Sequence, residues 1–200
     1  MLSYFPHIQA PDFTGDLKSD VKALLFANNK PKTFDHCRAV AEKCAEIAVQ
    51  YGLDTEICEL SGYLHDISAI LSHNDMMKYA IDSEWYIYEA EKRVPMLLHQ
   101  RISRVLAQEV FGITDERILS AVECHTTLKS APSEYDMALF VADKLAWDGD
   151  GEAPFYSVVN YALEQSLRAA ALAYMDYIVE HKIILYPHDW FEDGVKFLLG

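Results

Sequence analysis

Six residues, of types that bind divalent transition metals, stand out by their placement in this chain: His36, His65, Asp66, His99, His125 and Asp143. His65 and Asp66 are neighbours on a segment that is otherwise apolar on one side. Adjacent helical side chains diverge by about 100°, yet both can converge on an ion lying beside the helix end. Imidazole and carboxylate together suit Fe, Mn or Zn. A lone His-Asp pair says little, but here it has company. His36 opens an earlier helical pattern, His99 a later one, and His125 closes another. Asp143 follows the apolar run Phe140-Val141-Ala142, where burying a carboxylate demands a partner or a metal. An ion held by such a set lowers the pKa of bound water from about 15.7 to about 7 and supplies hydroxide at neutral pH. The chemistry expected is metal-assisted hydrolysis, with Asp66 as its catalytic carboxylate.

These side chains need helices to position them, and the pattern supplies helices. Thr14 is placed to cap a short helix with Leu17, Val21, Leu24 and Leu25 on one face, ended by Pro31. Val40, Cys44, Ile47, Ala48 and Tyr51 keep a 3.6-residue period over about 36–51, and Gly52 suits the exit. Asp54 can cap a third helix that ends at His65-Asp66. Shorter helices are expected over 74–82 and 84–92. Residues 96–111 read as a helix closed by Gly112. Thr114 would cap the helix ending at His125, and Ser133 the one bearing Phe140 and Asp143. Residues 149–154 read as a loop, and 157–184 as one long helix. No segment alternates with period two for long enough to suggest a sheet. The expected fold is all-α, a single compact helical bundle over 31–200, with 1–30 as a lead-in and short helix.

Composition narrows the function. Apolar residues make up 51% and charged residues 24% of the 200, an ordinary globular balance. The formal charge of −14 disfavours a nucleic-acid polymer or an anionic membrane as partner. A small phosphorylated substrate is compatible with it, because a bound metal outweighs net charge at short range. The N-terminus lacks a basic region, Pro6 and Pro11 interrupt it, and no apolar run reaches membrane-spanning length. A cytoplasmic location is expected. Cys37, Cys44, Cys58 and Cys124 form no CxxC pair and read as packed, reduced thiols.

The order His, His-Asp, distant Asp resembles the HD-domain superfamily, and His99 and His125 between them resemble its two-metal branch. The segments Ser61-Gly62-Tyr63-Leu64-His65-Asp66, Leu97-Leu98-His99, His125-Thr126-Thr127, Phe140-Val141-Ala142-Asp143 and Ile184-Leu185-Tyr186-Pro187 resemble the YqeK-type hydrolases, which split diadenosine tetraphosphate symmetrically. The resemblance covers roughly 32–190. It implies that His36, His65, Asp66 and Asp143 hold one metal, and that Asp66 bridges to a second held by His99 and His125. It implies two divalent ions, iron first, with Mn or Zn as alternatives. It also implies a small-molecule nucleotide substrate and a monomer or homodimer.

This chain departs from the pattern at Ala69, where many relatives carry Lys, at Gln100, where Gly is usual, and from Lys144 to Pro154. That last stretch is acidic, with Asp148, Asp150 and Glu152. Thr126, Lys144 and Arg101 are the candidate substrate contacts, with Lys129 and Arg38 as further cations. His7, His73, His181 and His188 read as structural. Another HD phosphohydrolase acting on a nucleotide, a di-iron oxygenase and a ligand-sensing module are the alternative functions.

Overall fold

The structure is a computed structural model that describes residues 1–147 and 149–200. Asp148, one of the acidic loop positions named above, lies outside the described residues. No strand occurs among the described residues, as the sequence pattern predicts. The helices are α1 (Leu17–Ala27), α2 (Pro31–Tyr51), α3 (Thr55–Leu64), α4 (His73–Asp82), α5 (Glu89–Arg93), α6 (His99–Glu109), α7 (Glu116–Cys124), α8 (Glu134–Leu145), α9 (Tyr156–Leu163), α10 (Leu167–Glu180) and α11 (Asp189–Leu199). Short 3-10 turns occupy Leu2–Tyr4, Ile67–Ile70 and Pro95–Leu98. No helix of the described residues is long and apolar enough to cross a membrane.

The middle of the molecule is α8. Ala138, Leu139, Phe140, Val141 and Ala142 are each fully buried, so this helix is apolar on nearly every side, as an interior helix must be. It packs against α2, α3, α7 and α10. The four cysteines are free and buried.

Local chemistry sets the helix ends. Gly52 takes φ +68° and closes α2, and the Asp54 carboxylate then accepts the N–H groups of Glu56 and Ile57 to open α3. Ser133 and Asp136 form a reciprocal capping box on α8. Several expected boundaries are corrected. Pro31 opens α2 instead of ending α1, because a first-turn position needs no N–H from it. Asp16 and Asp115 cap α1 and α7, displacing Thr14 and Thr114. Thr14 instead donates to the buried Asp20 carboxylate at 2.8 Å. The expected helix over 84–92 shrinks to α5, since Glu84 sits at φ +55° in a turn. Residues 157–184 divide into α9 and α10, because the Ser166 hydroxyl accepts from Ala169 N–H and starts a new helix. α11 lies beyond every helix that the periodicity indicated.

One close approach fixes the geometry under the candidate ligands. A Cβ added to Gly62 would lie 2.4 Å from the Ala41 Cα, so α2 and α3 touch backbone to backbone. His36 is carried by α2, and α3 leads directly into His65. Gly62→Ala must push these helices apart. It should cost about 1–3 kcal/mol and lower the melting temperature by roughly 2–12 °C, read by thermal denaturation. An unchanged melting temperature would show that the contact is not limiting.

Candidate metal centre

The six sequence candidates meet in one place because they sit at or near helix ends. His36 lies in the second turn of α2, His99 is the first residue of α6, and Asp143 falls in the last turn of α8. His65 and His125 cap the C-termini of α3 and α7. After His65 the backbone leaves helical geometry, with Asp66 at φ −113° and ψ 18°. That turn brings two adjacent side chains to the same centre.

Asp143 Oδ1 is 3.1 Å from His36 Nε2 and 3.6 Å from His65 Nε2. Asp66 Oδ2 is 3.7 Å from His65 Nε2. Its other oxygen, Oδ1, is 3.5 Å from both His99 Nε2 and His125 Nε2. Two groups of ligand atoms result, His36/His65/Asp66 and Asp66/His99/His125, each with its atoms within 4.8 Å of one another. Asp66 belongs to both and turns one oxygen to each.

Tautomers follow from hydrogen bonding. The Nδ1 atoms of His65, His99 and His125 lie 2.7, 2.7 and 2.8 Å from the carbonyl oxygens of Gly62, Met96 and Val122. A carbonyl can only accept, so each Nδ1 carries a proton and each Nε2 is the ring atom turned to the centre, a lone-pair donor whenever the imidazole is neutral. With both rings neutral, His99 and His125 point two lone pairs at each other across 3.0 Å. His65 Nε2 is buried and makes no hydrogen bond. Both arrangements are repulsive or costly without a cation.

The electrostatics agree. Burial pushes the His125 imidazole down to about 4, with Asp66 partly opposing, so it is a neutral ligand at pH 7. Burial pushes the Asp66 carboxyl up, but His65, His125 and His99 outweigh it and hold it far below the usual carboxylate range. Burial likewise opposes ionisation of Asp143, and Lys144, His36 and His65 overcome it. The donor set fits divalent metals: an ion bonded at about 2.0–2.2 Å holds its ligands roughly 3–3.5 Å apart.

The remaining candidates divide. The Thr126 hydroxyl lies 3.0 Å from His99 Nε2, at the edge of the centre. The Lys144 ammonium pairs with Asp143 and reaches the His125 carbonyl at 3.4 Å. Arg101 is turned elsewhere: it grips the fully buried Glu91 at 3.0 Å and stacks over Trp85, 4.4 Å from the ring centre. Lys129 donates to Ser120, and Arg38 faces Asp35 on the surface. Asp150 and Glu152 are exposed.

Two participants escape the sequence reading. Gln100 is buried, and its Oε1 accepts the N–H groups of Thr126 at 3.1 Å and Thr127 at 3.3 Å, which ties the turn after His125 to α6. Lys30 lines a cavity of about 240 Å³ that also contains Asp66, Ala69 and His99.

Comparison with known proteins bears on the family and the fold. The family model described as HD domain matches residues 33–148. An uncharacterized protein in the pepC 5′ region of Lactococcus lactis subsp. cremoris is 39% identical over 68% of this chain and 70% of its own length. A symmetrical bis(5′-nucleosyl)-tetraphosphatase of Staphylococcus aureus is 29% identical over 56% of this chain and 57% of its own. Among solved structures, a predicted HD superfamily hydrolase involved in NAD metabolism from Clostridium acetobutylicum superposes with a TM-score of 0.80. That match covers 94% of this chain and 98% of the other, and at 24% identity it speaks to the fold.

The shared carboxylate makes a test. Purified protein should carry about two transition-metal ions per chain, as a two-metal site requires. Asp66→Ala should lose most of both, whereas His99→Ala and His125→Ala should retain about one. His181→Ala should match the parent. Full occupancy in Asp66→Ala, measured by elemental analysis, would contradict the shared ligand.

Proposed function

The chain belongs to the HD-domain family, and from that premise we propose that this metal-dependent phosphohydrolase cleaves diadenosine tetraphosphate symmetrically to two ADP. The observation that carries the proposal is Asp66 turning one oxygen to each of two ligand groups, with openings on both sides. Bound there, a pair of divalent ions, iron in our reading, would acidify water and neutralise charge on the phosphoryl oxygens. The residues proposed to hold them are His36, His65, Asp66 and Asp143 on one side, and Asp66, His99 and His125 on the other.

The protein's own groups then orient the reaction. Asp66, kept ionised at neutral pH by its imidazole neighbours, is the proposed catalytic carboxylate and directs the attacking water. Burial works against charge on Lys144, but Asp143 more than offsets it and keeps the ammonium protonated beside the phosphates. The Thr126 hydroxyl can donate to a phosphoryl oxygen from the His99 side.

The openings suit a substrate with a nucleoside at each end. A cavity of about 390 Å³ adjoins the centre through Thr126 and Lys144, and its walls include Leu97, Tyr174, Ile184 and Tyr186. Such mostly apolar walls with few polar groups suit a nucleobase and sugar. On the His36 side, His36 and Trp147 border a second opening of about 350 Å³. Trp147 is 46% exposed there and offers a face on which a base can stack. The exposed side chains of Asp150 and Glu152 let solvent screen the repulsion that an acidic loop would exert on a polyphosphate.

Registry decides the products. With the reacting centre over the middle of the tetraphosphate and a nucleoside in each opening, the only product is ADP. Metal-loaded protein incubated with diadenosine tetraphosphate, followed by chromatography, should give ADP alone. AMP plus ATP would contradict the registry. No turnover, alongside hydrolysis of a mononucleotide, would replace the substrate while leaving the phosphohydrolase.

A further inference from the structure

A polyphosphate needs more cations than the centre's own side chains leave free. Lys144 is committed to Asp143, Arg101 to Glu91, Lys129 to Ser120, and Arg38 lies out at Asp35. Lys30 is different. It is half-buried, and its side chain has no hydrogen-bond or ion-pair partner among the described residues. It nevertheless borders the same cavity as Asp66 and His99.

Its position is fixed by backbone. Asn29 adopts φ +59° to close the turn between α1 and α2. The Lys30 N–H then donates to the Leu25 carbonyl at 2.8 Å, and Pro31 starts α2 immediately afterwards. The ammonium thus hangs from a rigid turn at the positive end of a 21-residue helix. Ala69 lines the same cavity of about 240 Å³ and brings only a methyl group to it, so the cavity has room for an anion. An unpaired cation beside a metal centre, in a protein of net charge −14, is what an incoming anion would pair with.

We propose that Lys30 is a phosphate-binding residue of this site and contacts the substrate's phosphate chain on the Asp66–His99 side. The cation absent at position 69 is thereby supplied from a different segment, the α1–α2 turn. The inference rests on the phosphohydrolase reading and specifies one of its substrate contacts.

The test moves the charge. Lys30→Met keeps side-chain length and removes the ammonium, and the double variant Lys30→Met/Ala69→Lys returns a cation to the same cavity from position 69. ADP is the probe, titrated into metal-loaded protein by calorimetry. Lys30→Met should bind ADP about 10-fold more weakly, as expected for loss of a charge-assisted hydrogen bond, with metal content and melting temperature unchanged. The double variant should recover most of the affinity. With diadenosine tetraphosphate, KM should rise by a similar factor while kcat stays within about threefold. Equal ADP affinity in parent and Lys30→Met, including no measurable binding to either, overturns the inference. If the parent does not cleave diadenosine tetraphosphate but Lys30→Met still loses ADP affinity, the tetraphosphate reading fails and Lys30 stands. If the parent yields ADP and Lys30→Met binds ADP equally well, Lys30 falls and the substrate reading stands.

Discussion

An ionised carboxylate held among imidazole nitrogens that all face it is the constraint around which this protein is arranged. Asp66 cannot shed its charge cheaply, because His65, His125 and His99 hold it ionised. The imidazoles cannot turn away, because carbonyls at Gly62, Met96 and Val122 hold three Nδ1 protons. The result is a fixed cup of imidazole nitrogens and carboxylate oxygens, a donor set that suits a divalent cation. Helix ends are the natural place to build it. The last carbonyls of a helix have no intrahelical partner, so a histidine at the C-cap, such as His65 or His125, can use the carbonyl three residues back.

Rigidity comes from the helices that bear these ends. Contact between Gly62 and Ala41 seats α3 on α2, and the buried residues of α8 bring Asp143 to both. The outer wall depends on another charge pair. Glu91 is fully buried, accepts from Arg101 Nη1 on both carboxylate oxygens, and lies 3.5 Å from His188 at the start of α11. Losing the guanidinium would leave a buried, uncompensated carboxylate, a costly state. Arg101 and Glu91 therefore tie α5 and α6 to the start of α11, whose His188 and Phe191 line the apolar cavity.

The helical class and the six metal-type residues were legible in the sequence, for a physical reason. Periodic apolar stripes mark helices, and His or Asp set into those stripes near a cap signal must be satisfied in the interior. Asp143, following Phe140-Val141-Ala142, is the plainest case. What could not be read depended on competition or on distance in the chain. Thr14 and Asp16 both can cap α1, and the choice turned on Asp20 claiming the threonine. Pro31 reads equally as a stop or a start. Ser166 divides an Ala- and Leu-rich stretch whose composition favours continuity. Arg101 and Lys30 are both cations near a ligand in sequence or space, and only the fold shows that Glu91 claims the first while the second faces the cavity.

The central claim is that Asp66 lies between two metal ions and binds both. Crystals of the protein grown or soaked with Mn²⁺ and measured at an anomalous wavelength test it directly. The account predicts two anomalous peaks, each within bonding distance of a different Asp66 oxygen, one beside His36 and His65 and the other beside His99 and His125. A single peak, or two peaks of which one makes no contact with Asp66, would contradict it.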